Sequence, residues 1–266
     1  MRLKRRVHRL RQKLHRRRKW LKPRIQSVQG RMKRQRVIHL LHIGKTGGSA
    51  VKEAIRGDIR GVQSVYQDVA PGTRIVAHGH QIDLGMCPPG DDVVFILRDP
   101  VSRYVSGFLS RLRQGAPRHD SPWSKAEEQA FTRFPTPNDL AEGLSADDAE
   151  VRAAAERAMR DIHHVRKTFA DWLVSVELVR KRSDDILLVG WQETLDQDFE
   201  RLRERIGLPA SCRLPSDPQT ANRAPDDTPR ELSETGTANI RAWYAEDYDI
   251  IAALEELGLT TRPAAR

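Results

Sequence analysis

Residues 42–50 read HIGKTGGSA and follow the apolar run Val37-Ile38-His39-Leu40-Leu41. A buried strand that runs into a turn with adjacent glycines, a lysine and hydroxyls is suited to wrap an anion. The N–H groups of Thr46, Gly47, Gly48 and Ser49 can point inward, and the dipole of a helix opening at Ser49 adds positive potential. Gly47 and Gly48 permit a left-handed backbone and close approach of a ligand. Gly44 opens the turn, and Lys45 brings a full positive charge. A nucleotide phosphate is the obvious candidate, yet the Walker pattern G-x-x-x-x-G-K-S/T fails, because five positions before Gly44 stands His39.

A second anion site is written in VVFILRDPVSRYVSGF, residues 93–108. Here an apolar strand ends in Arg98, where a nucleotide triphosphatase more often places a carboxylate for Mg²⁺. A guanidinium at the carboxyl end of a strand is a phosphate fork. Ser106 lies about two turns into the following helix and can share that phosphate. Asp99 and Arg103 read as an ion pair that shapes the turn. The third feature is HGHQIDL, residues 78–84, at the end of another strand. An acceptor hydroxyl titrates far above pH 7 and needs a general base, for which His is the usual choice. His78 and His80 lie two apart in an extended segment and are expected on one face. His39 and His42 read as packing or hydrogen-bonding residues. Either His163 or His164 can face the site, and Glu193 can bind an acceptor or pair with a basic residue.

Two anion sites at the ends of two strands suit a nucleotide with phosphate at both ends of its ribose. At these residues the chain resembles the carbohydrate sulfotransferase superfamily. HIGKTGGSA is similar to its 5′-phosphosulfate loop, although Gly44 stands where the family usually has Pro. RDPVSRYVSGF matches its 3′-phosphate motif RDPxxRxxSxF at every specified position. VGWQETLDQDFERL resembles a strand-and-helix segment common in the family, and HGH resembles the motif of the uronyl 2-O-sulfotransferases. The resemblance covers most of residues 37–258 in order. It implies a P-loop-like α/β sheet and the donor 3′-phosphoadenylyl sulfate (PAPS). It also implies an acceptor hydroxyl, in a glycan, and no catalytic metal. On this reading Gly44 to Ser49 hold the 5′-phosphosulfate, Arg98 and Ser106 hold the 3′-phosphate, and His80, with His78 beside it, takes the acceptor proton.

The elements that must position these residues alternate. Strands are expected at 37–43, 74–78, 93–97 and 186–190, each short, apolar and suited to burial on both faces. Helices are expected from Ser49 to Arg56 and from Pro100 to about Leu112, with Pro100 in the first turn. Residues 113–144 carry four prolines and read as an insertion with short helices. A long helical stretch with Ser145 as N-cap runs from Val151 to Val179. Thr194 and Gln197 suggest a capping box for a helix to about Ile206. The last helix spans roughly Thr237 to Leu257, with Gly258 as its stop. Trp243, Tyr244 and Tyr248 read as core and rim.

The chain has 266 residues and a formal net charge of +10, but the charge is unevenly placed. Residues 1–36 hold 17 of the 46 Lys and Arg and no Asp or Glu, which leaves 29 basic against 36 acidic residues in the rest. The expected organisation is a basic amphipathic or disordered arm at 1–36, a catalytic domain at 37–258 and a tail at 259–266. Leu3, Val7, Leu10, Leu14 and Trp20 give the arm an apolar stripe, with a weaker run at Ile25, Val28 and Met32. That stripe suits an anionic membrane surface more than nucleic acid. No apolar run reaches the length of a membrane span. Cys87 and Cys212 match no disulfide or metal spacing. Together these suggest a cytoplasmic enzyme, peripheral at the inner membrane face. Two other readings remain from the residues alone: a P-loop-type kinase or nucleotide triphosphatase, and a binding protein for anionic surfaces or nucleic acid on a non-catalytic core.

Overall fold

The computed structural model describes residues 21–56, 65–117, 119–215 and 229–264. The first described element is a helix over 21–32 (α1). Then follow β1 (Arg36–Leu40), α2 (Gly48–Arg56), β2 (Val65–Ala70), β3 (Thr73–Ala77), β4 (Asp92–Leu97) and α3 (Pro100–Leu112). Four helices come next, α4 (Lys125–Arg133), α5 (Pro137–Gly143), α6 (Ala149–Asp161) and α7 (Ala170–Leu173), and then α8 (Val176–Lys181). The described elements end with β5 (Ile186–Trp191), α9 (Leu195–Ile206), α10 (Glu234–Trp243) and α11 (Ala245–Glu256).

The five strands form one sheet in the order β2-β3-β1-β4-β5. β1 pairs in parallel with β3 and β4, and β4 in parallel with β5, while β2 is antiparallel to β3. The chain therefore leaves β1 toward one side of the sheet and later returns to the other. Such a reversal opens a crevice at the carboxyl end of the strand where it occurs, which is where ligands bind in open α/β sheets.

Strand alternation divides the core. Ile38, Leu40, Val94 and Ile96 point to the face covered by Val51 and Ile55 of α2 and by Phe199 and Leu202 of α9. Val93, Phe95 and Leu97 point the other way, against Trp172, Leu173, Ile250 and Leu254. Full burial of each large apolar side chain contributes about 1.5–3 kcal/mol. Residues 113–144 are more than a surface insertion. α4 and α5 pack with α6 and α10 on Tyr104 and Phe108 of α3, forming a third apolar cluster through Phe131, Phe134, Leu140 and Met159.

Several boundaries differ from the sequence reading. β2 was not expected; among its described side chains Asp68 is exposed and held by Arg74 of β3 at 3.0 Å. The stretch from Val151 to Val179 breaks into α6, α7 and α8, and Asp148, not Ser145, caps α6 by accepting from the N–H groups of Glu150 and Val151. The Thr194 hydroxyl bonds the Asp198 carboxylate at 2.8 Å, so the box with Gln197 does not form. The last helix divides at Tyr244, whose φ of −103° and ψ of 31° interrupt the run. Gly258, at φ 66°, ends it as expected.

Of the arm expected over 1–36, the structure describes residues 21–36. Residues 1–20, with Leu3, Val7, Leu10, Leu14 and Trp20, lie outside the described residues. α1 sits on the core, with Pro23, Ser27 and Gly30 buried. Ser27 donates to the Asp91 carboxylate, and Arg31 reaches the same carboxylate at 3.0 Å.

Candidate functional site

A cleft of about 560 Å³ opens at the carboxyl ends of β1 and β4. It is lined by Lys45, Gly47, Gly48, Ser49, His80, Arg98 and Ser106, so it gathers most of the residues singled out from sequence. Arg111, Arg230, His42, His119 and His164 complete its ionisable lining, and no Asp or Glu is among the described residues that line it. Lys45, Arg98, Arg111 and Arg230 bring four cationic groups to the lining, and the carboxylate that pairs with Arg111, Glu127, is not among the lining residues.

The turn after β1 gives this cleft its floor. Gly47 has φ 87°, and a Cβ there would meet Leu195 Cδ2 at 2.9 Å. At Gly48, whose φ is not left-handed, a Cβ would meet the His42 ring at 2.8 Å, so a larger residue would have to displace that ring. The Thr46 hydroxyl bonds back to the Ile43 carbonyl at 3.0 Å and braces the turn from beneath. Ala50 N–H bonds the Gly47 carbonyl at 2.9 Å, whereas the N–H groups of residues 46–49 have no backbone acceptor among the described residues. They are the orphan donors of a helix start. Gly44 needs no special space, since its Cβ would make ordinary contact with Trp172 at 3.5 Å.

Lys45 is half-buried and, unusually for a lysine, has φ 69°. Burial, with the neighbouring Arg98 and Arg113 charges, lowers its pKa to about 8. Arg98 donates to the Ser102 hydroxyl at 2.8 Å and toward the Lys45 carbonyl at 3.4 Å, which ties the two strand ends together. Asp99 caps α3 by accepting from Ser102 N–H at 3.0 Å, and its own N–H donates to Glu193 Oε1 at 3.2 Å. The expected Asp99–Arg103 ion pair does not form. Arg103 is buried against Asp247 at 3.3 Å, between the rings of Phe169 and Tyr244.

His80 stacks on His42 with ring centroids 3.9 Å apart. Its Nδ1 lies 3.0 Å from the His42 carbonyl, which can only accept, so Nδ1 carries the proton and Nε2 keeps a lone pair. Burial and the Lys52 charge lower the His80 pKa to about 4, so the ring is neutral at pH 7. His164 also lines the cleft and is pushed down to about 2 by burial and by Lys45. It sits in the turn after α6, not on the helix expected from sequence.

His78 does not share this face, contrary to the expectation from its spacing. It is 1% exposed and is not among the residues lining the cleft. Gly79 separates two side chains that the protein treats differently. His78 Nε2 meets His39 Nδ1 at 2.9 Å, and His39 Nε2 meets the Asp91 carboxylate at 3.0 Å. Cys87 Sγ lies in the same buried group. Because the two rings and Asp91 already satisfy one another, this cluster reads as a hydrogen-bonded core chain.

Sequence reasoning missed Lys52, Asp91, Arg111, His119 and Arg230. Lys52 is buried, donates to the His78 carbonyl and bonds His42 Nδ1 at 2.8 Å. Its signal was available, since it lies one helical turn after Gly48 on the helix that leaves the anion turn. Arg111 is held by Glu127 at 2.7 Å and comes from the face of α3 one and a half turns past Ser106. Asp91 had no local signal. No protein-family model matches the chain, and no curated protein matches it.

Proposed function

We propose that the chain transfers a sulfuryl group from PAPS to the hydroxyl of an acceptor, a glycan by the resemblance of its motifs. The observation that carries this reading is the cleft itself. Lys45, unpaired turn N–H groups, Arg98 and Ser106 converge on it, no described lining residue is acidic, and a neutral histidine offers a free Nε2. The resemblance of HIGKTGGSA and RDPVSRYVSGF to the two phosphate motifs of the sulfotransferases supports the same donor. The position of the turn at the switch-point strand supports a P-loop-like reading of the sheet.

Each residue then has a role. The N–H groups of residues 46–49 and Lys45 hold the 5′-phosphosulfate, and Arg98 and Ser106 hold the 3′-phosphate. The acceptor oxygen forms a bond to sulfur as the bond from sulfur to the phosphate oxygen breaks. The electron pair leaves on that phosphate, where Lys45 stabilises it. The acceptor proton passes to His80 Nε2. A pKa of about 4 makes His80 a weak base in the free protein. A dianionic phosphosulfate beside it favours the imidazolium and raises that value when the donor is bound.

A kinase reading is disfavoured by Arg98, which occupies the strand end where a carboxylate would hold Mg²⁺. The discriminating experiment is thermal stabilisation by adenosine 3′,5′-bisphosphate against ATP with Mg²⁺, followed by transfer from labelled PAPS to a panel of acceptors. The bisphosphate should raise the melting temperature at concentrations where ATP with Mg²⁺ does not. Greater stabilisation by ATP with Mg²⁺ would overturn the reading.

A further inference from the structure

Large apolar side chains that remain exposed among the described residues are few: Leu21 at 44%, Ile25 at 49%, Val28 at 57%, Met32 at 80% and Val174 at 45%. Four of these five belong to α1. Their spacing of four, three and four residues sets them in one stripe along a single helix face. The opposite face is already committed, because Pro23, Ser27 and Gly30 are buried and Ser27 is bonded to Asp91. The core therefore fixes the roll of α1, and with it the direction in which the stripe looks.

We propose that α1 lays this stripe on an anionic lipid bilayer, as an interfacial helix docked in the plane of the surface. Charge complementarity selects the occupant. Lys22, Lys33 and Arg34 are exposed around the stripe, and residues 1–36 contain no acidic side chain to neutralise their 17 Lys and Arg. A polyanion such as nucleic acid would take the charge but would leave the four apolar side chains in water. A bilayer takes both, since apolar side chains enter the acyl boundary while lysine and arginine remain at the headgroups. Among the described residues no helix is long and apolar enough to cross a membrane, and the buried Pro23, Ser27 and Gly30 hold α1 to the core, so the proposal is a helix in the plane of the surface. The inference is independent of what the cleft transfers.

The test is co-sedimentation of the full chain with vesicles of phosphatidylcholine alone and with about one quarter phosphatidylglycerol. The chain should pellet with the anionic vesicles only, and 0.5 M salt should release much of it as screening shortens. A triple variant, Ile25→Ser, Val28→Ser and Met32→Ser, keeps every charge and touches no buried residue. It should partition about tenfold less, with an unchanged melting temperature. Equal pelleting of variant and wild type on anionic vesicles overturns the proposal, as does failure of wild type to pellet. Two further results would also overturn it. One is tenfold weaker binding of a short DNA duplex by the variant with vesicle binding intact. The other is a vesicle-free dimer of wild type that the variant abolishes, which would make a second copy the occupant.

Discussion

Two pairs of stacked histidines stand side by side and have opposite surroundings. His39 and His78 are sealed in the core, with ring centroids 5.1 Å apart, and their chain of bonds ends on the Asp91 carboxylate. His42 and His80 border the cleft, and the Lys52 ammonium, which also donates to the His78 carbonyl, bonds His42. Burial lowers the pKa of His78 well below that of a free imidazole, and the same cause brings His80 to about 4. What separates them is access. His80 has a lone pair beside open space, whereas the ring nitrogen by which His78 is fixed is already occupied by His39. A motif of two histidines thus holds one ring that borders the cleft and one locked in the core, and neighbours decide which is which.

The comparison breaks most visibly in catalysis. His80→Ala should lower transfer by about two to four orders of magnitude, with donor binding and melting temperature close to wild type. Lys45→Ala should cost about two to three orders in kcat, as loss of one charge-stabilising donor typically does. His78→Ala should do the reverse. It leaves a cavity and an unbonded His39 nitrogen, which destabilises the fold by about 3 kcal/mol while activity per folded molecule stays within tenfold. If His78→Ala abolishes transfer at full stability, the assignment of the two pairs is inverted. Circular-dichroism melts and single-turnover assays on the same preparations separate these outcomes.

Smaller effects sharpen the contrast. The pH profile of kcat/KM should be flat between limbs near 4 and 8. His80 accepts a proton only when neutral, so activity falls as pH drops through about 4. Lys45 acts only when charged, so activity falls as pH rises through about 8. Arg98→Ala should weaken adenosine 3′,5′-bisphosphate about tenfold to a hundredfold while leaving the 5′-monophosphate nearly unchanged, measured by competition. The smallest change is Ser27→Ala, which removes one hydroxyl donor from Asp91 and should lower stability by about 1 kcal/mol without moving the pH limbs. A shift of either limb in that variant would show that the sealed pair does speak to the cleft.

What could be read in the sequence was what local chemistry encodes. The apolar runs became β1, β3, β4 and β5 because a strand buried on both faces has few other compositions. The glycine turn and the strand-ending Arg98 were legible because each needs a particular residue at a particular point of the backbone. His78 was misplaced because alternation holds inside a strand, and this residue lies just past the end of β3, next to Gly79. β2 was missed because Val65–Ala70 includes Gln67 and Asp68 and lacks the apolar run of a central strand. Asp91 and Arg230 are brought in by the fold from far along the chain, and nothing adjacent to them announces a partner.

The left-handed backbone at Lys45 sets two selective pressures against each other at one residue. A side chain at φ 69° is disfavoured by roughly 1–2 kcal/mol relative to glycine, which takes that conformation freely. Every folded molecule carries this penalty whether or not it meets a ligand. A search for thermostable variants would therefore be drawn to Lys45→Gly, and the more robust protein it found would have lost the cation at the mouth of its turn. On the proposed donor-binding role, the charge that Lys45 brings to the cleft is what the left-handed backbone at this residue is kept for.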